Sequence, residues 1–231
     1  MTIQALIFDF DGLILNTEAP AFESWRMVFQ AHGADLDLAL WQANVGTIDW
    51  FDTVEHLQTL IGRPLDRAAV LAQRQAHKDA LCIDLEVLPG VRELLDAATA
   101  AGLPLGLASS SDRAWIERWL QHHDLARYFG CVRTRDDVAN PKPAPDLYLA
   151  AAAGLGVQPE RCIALEDSSN GLRAALAAGM RCVVVPTAIT SALDFSGAAL
   201  RLSSLAELAL PQLLERLAVA PADQPVPSTV A

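Results

Sequence analysis

A chain of 231 residues, 52% hydrophobic and 19% charged, has room for one large domain or two modest ones and is too apolar to be disordered. Its net charge of −11 repels nucleic acid and anionic membranes, so any anion site has to be built locally from a metal, a lysine or backbone amides. No stretch reaches the ~18 apolar residues that cross a bilayer, and no basic leader opens the chain, so a soluble cytoplasmic protein is expected.

The first predicted element is the apolar run Leu6-Ile7-Phe8-Asp9-Phe10-Asp11-Gly12, a buried parallel strand that ends in two carboxylates. Residues 17–81 contain no convincing strand. Phe22, Trp25 and Phe29 share a helical face before Gly33, and 38–41 is helical. Val54, Leu57 and Ile61 form a stripe before Gly62 and Pro64, and 65–82 has helical propensity. From Pro89-Gly90 onward, strands and helices alternate. A helix over Val91, Leu94, Leu95 and Ala98 ends at Gly102, and 103–108 is a strand. Trp115, Ile116, Trp119 and Leu120 mark the next helix, and 129–132 is a candidate strand. A helix over 144–153 stops at Gly154, 161–165 is a strand, 168–178 is a helix ending at Gly179, and 181–185 is a strand.

Such alternation specifies an α/β fold, a Rossmann-like parallel sheet with right-handed crossovers. The expected division is a core of 1–16 and 84–217, an inserted all-helical cap of 17–83, and a poorly ordered tail of 218–231. Both connections to the insert leave from one sheet edge, so the cap is a lid able to open and close over the acids. The four cysteines (Cys82, Cys131, Cys162, Cys182) have no C-x-x-C spacing and no paired histidines, which reads as reduced, mostly buried thiols.

Asp9 and Asp11, spaced i and i+2 at the end of the first strand, project to one side and can converge. Two carboxylates about 4 Å apart repel by roughly 4 kcal/mol at an effective dielectric near 20. They persist together where a cation neutralises them or one of them holds a proton. Either arrangement serves phosphoryl chemistry. An ionised carboxylate attacks phosphorus, and its neighbour, with its pKa pushed upward, protonates the leaving oxygen. Alone, Asp-x-Asp-Gly is equally a strand end and a turn with two solvated acids.

Later strand ends change that weighting. Ser109-Ser110-Ser111 precede a helix, where hydroxyls and amides form an anion site and where an ordinary serine N-cap has the same sequence. Lys142, between Pro141 and Pro143, sits on a stiffened segment that loses little entropy when it is ordered. Glu166 and Asp167 end a strand just before a helix. Asp167 is either an N-cap, or the two acids join Asp9 and Asp11 in an oxygen-only site suited to Mg²⁺.

In this order the residues resemble the four motifs of the haloacid-dehalogenase-like superfamily. Phe8-Asp9-Phe10-Asp11-Gly12 looks like the first, Ala108-Ser109 the second, Lys142 the third and Glu166-Asp167 the fourth. The match covers the core to about residue 190, and the helical insert resembles that superfamily's small cap. Asp-Gly-Leu-Ile-Leu-Asn-Thr-Glu, Lys-Pro-Ala-Pro-Asp and Leu-Glu-Asp-Ser are similar to its phosphatase and β-phosphoglucomutase subgroup. The resemblance implies that Asp9 becomes a phosphoaspartate and that Asp11 serves as acid and then base. It further implies that Ser109, Ser110 and Lys142 hold the phosphoryl oxygens. Mg²⁺ would sit between Asp9, the backbone carbonyl of Asp11 and Asp167, with Glu166 as a further ligand.

The expected reaction is hydrolysis of a small phosphorylated metabolite, a sugar phosphate by family analogy, by a monomer. Dehalogenases of the superfamily lack the second acid, which is present here as Asp11. The mutase alternative would place a histidine at Ala21, an arginine near Asp49 and a lysine near Gln75, and its lysine and asparagine after the serine motif match Asp112 and Arg113. These departures favour water as acceptor. A third reading is a catalytically silent regulator that binds a phosphometabolite. Within the cap, Thr17 and Glu18 lie nearest the site, with Glu18 either bonding substrate hydroxyls or stabilising a helix start. Trp25, Trp41 and Trp50 read as cap core in preference to substrate stackers, and His77 and Lys78 as solvated in preference to facing the substrate.

Overall fold

The computed structural model describes residues 2–46 and 51–219. Every residue of β1 (Ala5–Phe8) is buried, which is why its sequence is apolar throughout instead of alternating. Leu6 and Phe8 join one core cluster and Ala5 and Ile7 another, because successive side chains leave a strand on opposite faces.

Among the described residues of the insert only helices occur: α1 (Glu18–Ala31), α2 (Leu38–Gln42), α3 (Thr53–Ile61) and α4 (Arg67–Leu81). Asp37, Asp52 and Asp66 cap the last three by accepting backbone N–H bonds. Trp25, Val28, Phe29, Leu57 and Val70 form a core of their own, separate from the two clusters around the sheet. Trp41 packs against Phe22 at its edge, the rings tilted by 55°. The chain leaves and re-enters the sheet region side by side. Leu15 bridges to Val87, and the Leu88 amide donates to Ile14 O at 2.9 Å.

The remainder alternates as α5 (Val91–Ala100), β2 (Leu105–Ala108), α6 (Arg113–His122), β3 (Cys131–Arg133), α7 (Asp146–Leu155), β4 (Cys162–Glu166), α8 (Ser169–Ala177), β5 (Arg181–Val184), β6 (Leu200–Arg201) and α9 (Leu210–Val219). The strands form one parallel sheet in the order β3-β2-β1-β4-β5-β6. Helices α5, α6 and α9 cover one face, and α7 and α8 the other. No helix among the described residues is long and apolar enough to cross a membrane. All four cysteines are buried and free.

Several boundaries move from their predicted places. The helix expected to stop at Gly154 runs on to Leu155 and ends at Gly156, which has the left-handed φ of 68°. Gly154 lies within α7, where a β-carbon would be 2.3 Å from Cys131 Sγ, so its absence lets α7 lie against β3. The candidate strand 129–132 is present as β3, shifted to Cys131–Arg133, and a 3₁₀ turn, Ala126–Tyr128, precedes it. Strand β6 has two residues, too few for any pattern, and it and α9 have no counterpart in the sequence reading. Helix α9 extends to Val219, so Ala218, where the tail was expected to begin, is helical. Residues 220–231, and the Asp49 and Trp50 considered above, lie outside the described residues.

Gly90 closes the linker after the insert with φ 85°, and a β-carbon there would meet Ala206 N at 2.0 Å. Backbone strain and overpacking each cost about 1–3 kcal/mol. Gly90→Ala is therefore expected to lower the melting temperature by roughly 5–10 °C in a thermal unfolding scan.

Candidate active site

β1 lies between β2 and β4, so the loops leaving three neighbouring strands meet at one edge of the sheet. These loops carry Asp9 and Asp11, Ser109 to Ser111, and Glu166 with Asp167, while Lys142 arrives from the loop before α7. The Asp9 amide donates to Leu165 O at 2.9 Å and the Ser109 amide to Arg133 O at 3.0 Å, so both side chains hang from continued sheet bonding. Gly12, with φ 84°, turns the chain directly beneath Asp167. A β-carbon there would lie 2.1 Å from Asp167 Oδ2.

Neither Asp167 nor the serines 109–111 serve as helix caps. Ser168, not Asp167, caps α8 by accepting the Gly171 amide. Asp112, not a serine, caps α6 by accepting the Trp115 amide at 2.8 Å.

Lys142 is 1% exposed and donates to Asp9 Oδ1 and to Glu166 Oε1, the latter at 2.6 Å. Burial alone would lower the ammonium's pKa, but the charges of Asp9 and Glu166 hold it above its ordinary value. Glu166 Oε1 also accepts from Tyr148 at 2.6 Å, and Oε2 accepts the Ser168 hydroxyl at 3.2 Å and the Asp167 amide at 3.1 Å. Glu166 is thus a bracket holding Lys142, with its oxygens already engaged.

Asp9 and Asp167 are under the opposite pressure. Burial, the charge on Glu166 and the nearby Asp11 push the Asp9 carboxyl well above the usual range despite Lys142. Burial, with Glu18, Asp9 and Glu166 behind it, does the same to Asp167. Oxygens of Asp9, Glu166 and Asp167 lie within 4.8 Å of one another, and Asp167 Oδ2 is buried with no hydrogen-bond partner. An unpartnered carboxylate oxygen among further carboxylates is the signature of a hard-cation site. The donor set fits Mg²⁺.

Asp11 turns the other way. Its Oδ1 accepts from Thr17 Oγ1 at 2.7 Å and Trp115 Nε1 at 2.9 Å, and its Oδ2 from Ser111 Oγ at 2.7 Å and Ser109 Oγ at 3.3 Å. Asp9 and Asp11 both line a cavity of about 90 Å³ that also borders Glu18, Ala21, Lys78 and Ser109. Ser110 lines it as well, but its hydroxyl donates to Gly46 O of the insert at 3.2 Å. Glu18 faces the cavity. Burial and the charge of Asp11 raise its pKa to about 7, against the opposing pull of Lys78 and Arg74.

One expectation for the insert needs correction. Lys78, read as solvated, borders the cavity with its ammonium 3.8 Å from the Trp115 ring centroid. Gln75, the position aligned with the mutase lysine, is exposed and bonds Asp79 at 2.9 Å. Trp115 and Tyr148 are site residues that the sequence reading does not identify. The apolar periodicity of α6 accounts for Trp115 without its N–H, and nothing local to Tyr148 points to Glu166.

Residues 3–179 match the family model described as haloacid dehalogenase-like hydrolase. The Bacillus subtilis protein YhcW is 43% identical over 93% of this chain and 98% of its own length. Fructose-1-phosphate phosphatase YqaB of Escherichia coli is 35% identical over 78% of this chain and 95% of its own. The structure of CbbY from Rhodobacter sphaeroides in complex with xylulose-(1,5)bisphosphate aligns with a TM-score of 0.75 at 31% identity, covering 92% of this chain and 99% of that one. The chain belongs to the haloacid dehalogenase-like hydrolase family, as a phosphoric monoester hydrolase.

Proposed function

We propose that the protein hydrolyses a small sugar phosphate through a phosphoaspartate on Asp9, in the cytoplasm, with Mg²⁺ as its metal. The observation that carries this reading is the buried junction of Asp9, Lys142, Glu166 and the unpartnered Asp167 oxygen at the ends of adjacent strands. An Asp9 carboxylate oxygen attacks phosphorus, the bond to the leaving oxygen breaks, and its electron pair stays with that oxygen. Asp11 delivers the proton that this oxygen needs. Asp11 then takes a proton from water, whose oxygen attacks the phosphoaspartate and frees phosphate and Asp9. Lys142 holds Asp9 in place through its ammonium, and Ser109 and the neighbouring amides face the phosphoryl oxygens. Asp9, Asp167 and the backbone carbonyl of Asp11, with Glu166 behind them, would hold Mg²⁺, which supplies positive charge for the transferring phosphoryl group.

The helical insert, 17–83, acts as a cap over a core of 1–16 and 84 onward. Its hinge is the paired segment around Leu15 and Val87. Water is the acceptor because Ala21, where the mutases of the family carry a histidine, offers the cavity only a methyl group. Lys78 restores one cation to the cap, a feature that favours a mutase. Support for a sugar phosphate as substrate comes from relatives named for fructose 1-phosphate and bound to xylulose-(1,5)bisphosphate.

Asp9→Asn is expected to cut p-nitrophenyl phosphate turnover by more than about 10³-fold while leaving the circular dichroism spectrum unchanged. EDTA is expected to stop turnover and added Mg²⁺ to restore it. Metal-independent activity would refute the cation site. Incubation with β-glucose 1-phosphate and a bisphosphate primer should yield no glucose 6-phosphate, and its appearance would establish the mutase. Lys142→Met leaves Asp9 and Glu166 facing each other without their cation. It should destabilise the metal-free protein by about 3–5 kcal/mol in urea unfolding.

A further inference from the structure

Trp115 belongs to none of the four motifs, yet its indole Nε1–H donates to Asp11 Oδ1 at 2.9 Å. With Thr17 on the same oxygen and Ser111 and Ser109 on the other, Asp11 is gripped at both ends. Its carboxyl cannot rotate about the Cβ–Cγ bond without giving up donors. The ring is itself anchored, because the Trp115 amide is bound to the Asp112 cap at 2.8 Å and Trp119 packs edge-on at 5.7 Å. On the ring's face lies a residue of the cap. Lys78 Nζ of α4 sits 3.8 Å from the centroid, and the adjacent Asp79 reaches Arg118 of α6 at 3.9 Å. A cation over an indole is attracted to its π-face and draws electron density away, which makes the N–H a better donor.

We propose that Trp115 is a positioning residue that aims the Asp11 carboxyl at the leaving oxygen, and that Lys78, stacked on its ring, ties this aim to cap closure. The inference rests on the role of Asp11 as acid proposed above. As the bond from phosphorus to the leaving oxygen breaks, that oxygen needs a proton in proportion to its basicity. p-Nitrophenolate departs with little help, whereas phenolate, whose conjugate acid has a pKa of about 10, requires the acid. A displaced Asp11 therefore penalises the second leaving group selectively, while a general loosening of the fold penalises both alike.

The test is kcat/KM, which reports transfer to Asp9, measured with p-nitrophenyl phosphate and phenyl phosphate at saturating Mg²⁺. Asp11→Asn should lose about 100-fold more on phenyl phosphate than on p-nitrophenyl phosphate. Trp115→Phe, which keeps a ring under Lys78 and removes only the donor, should lose about tenfold more on phenyl phosphate. Lys78→Met leaves Trp115 intact and should shift the same ratio by about threefold, so it remains informative if Trp115→Phe folds poorly. An Asp11→Asn variant without leaving-group preference overturns the acid assignment and this inference with it. A selective Asp11→Asn beside a Trp115→Phe that loses equally on both substrates, or on neither, overturns the positioning role alone. An unchanged ratio in Lys78→Met overturns the coupling to the cap.

Discussion

The site depends on a single buried cation. Lys142 lies between Asp9 and Glu166 with essentially no exposure, and each carboxylate is a hydrogen-bonding partner as well as a counter-charge. Taken alone, a buried ammonium is costly, and so is each buried carboxylate. Together they persist because Tyr148, Ser168 and the Asp167 amide satisfy the rest of Glu166. One ammonium still cannot balance Asp9, Glu166, Asp167 and the nearby Asp11. The upward pressure on Asp9 and Asp167 and the bare Asp167 oxygen express that imbalance. The divalent cation proposed for the site would supply the remaining charge, and the same charge is what a phosphoryl group requires.

The two glycines beside the acids follow from this crowding. Gly12 leaves room for the Asp167 carboxylate, and a β-carbon on Gly171 would lie 1.9 Å from that of Glu166. Charge is concentrated at this edge of the sheet by letting backbone approach carboxylate directly, with no side chain between them.

The insert meets the core through polar contacts. Asn170 Nδ2 donates to Val45 O at 2.6 Å, Gln42 Nε2 to Ile189 O at 2.6 Å and Ser110 Oγ to Gly46 O at 3.2 Å. Its buried side chains Trp25, Val28, Phe29, Leu57 and Val70 are spent on a separate core. Contacts of this kind exchange readily with water, because a hydrogen bond lost to the partner is regained from solvent. Such contacts are what the proposed cap would need in order to open over the site.

The alternation of apolar runs and helical stripes was enough to place the parallel sheet and the all-helical insert, because strand and helix periods are local properties of the chain. Asp9, Asp11, Ser109, Lys142 and Asp167 were legible for a related reason. Each follows a strand or a stiffened loop directly, so parallel topology alone carries them to one edge. Boundaries were less legible: whether Gly154 ends a helix or admits Cys131 depends on what packs against it. The same holds for Trp115 at Asp11, Tyr148 at Glu166 and Lys78 over Trp115, pairs separated by 104, 18 and 37 positions. Sequence by itself determined which groups the chemistry could use. Tertiary structure alone decided which of them touch, because contact between distant side chains is set by packing and not by spacing.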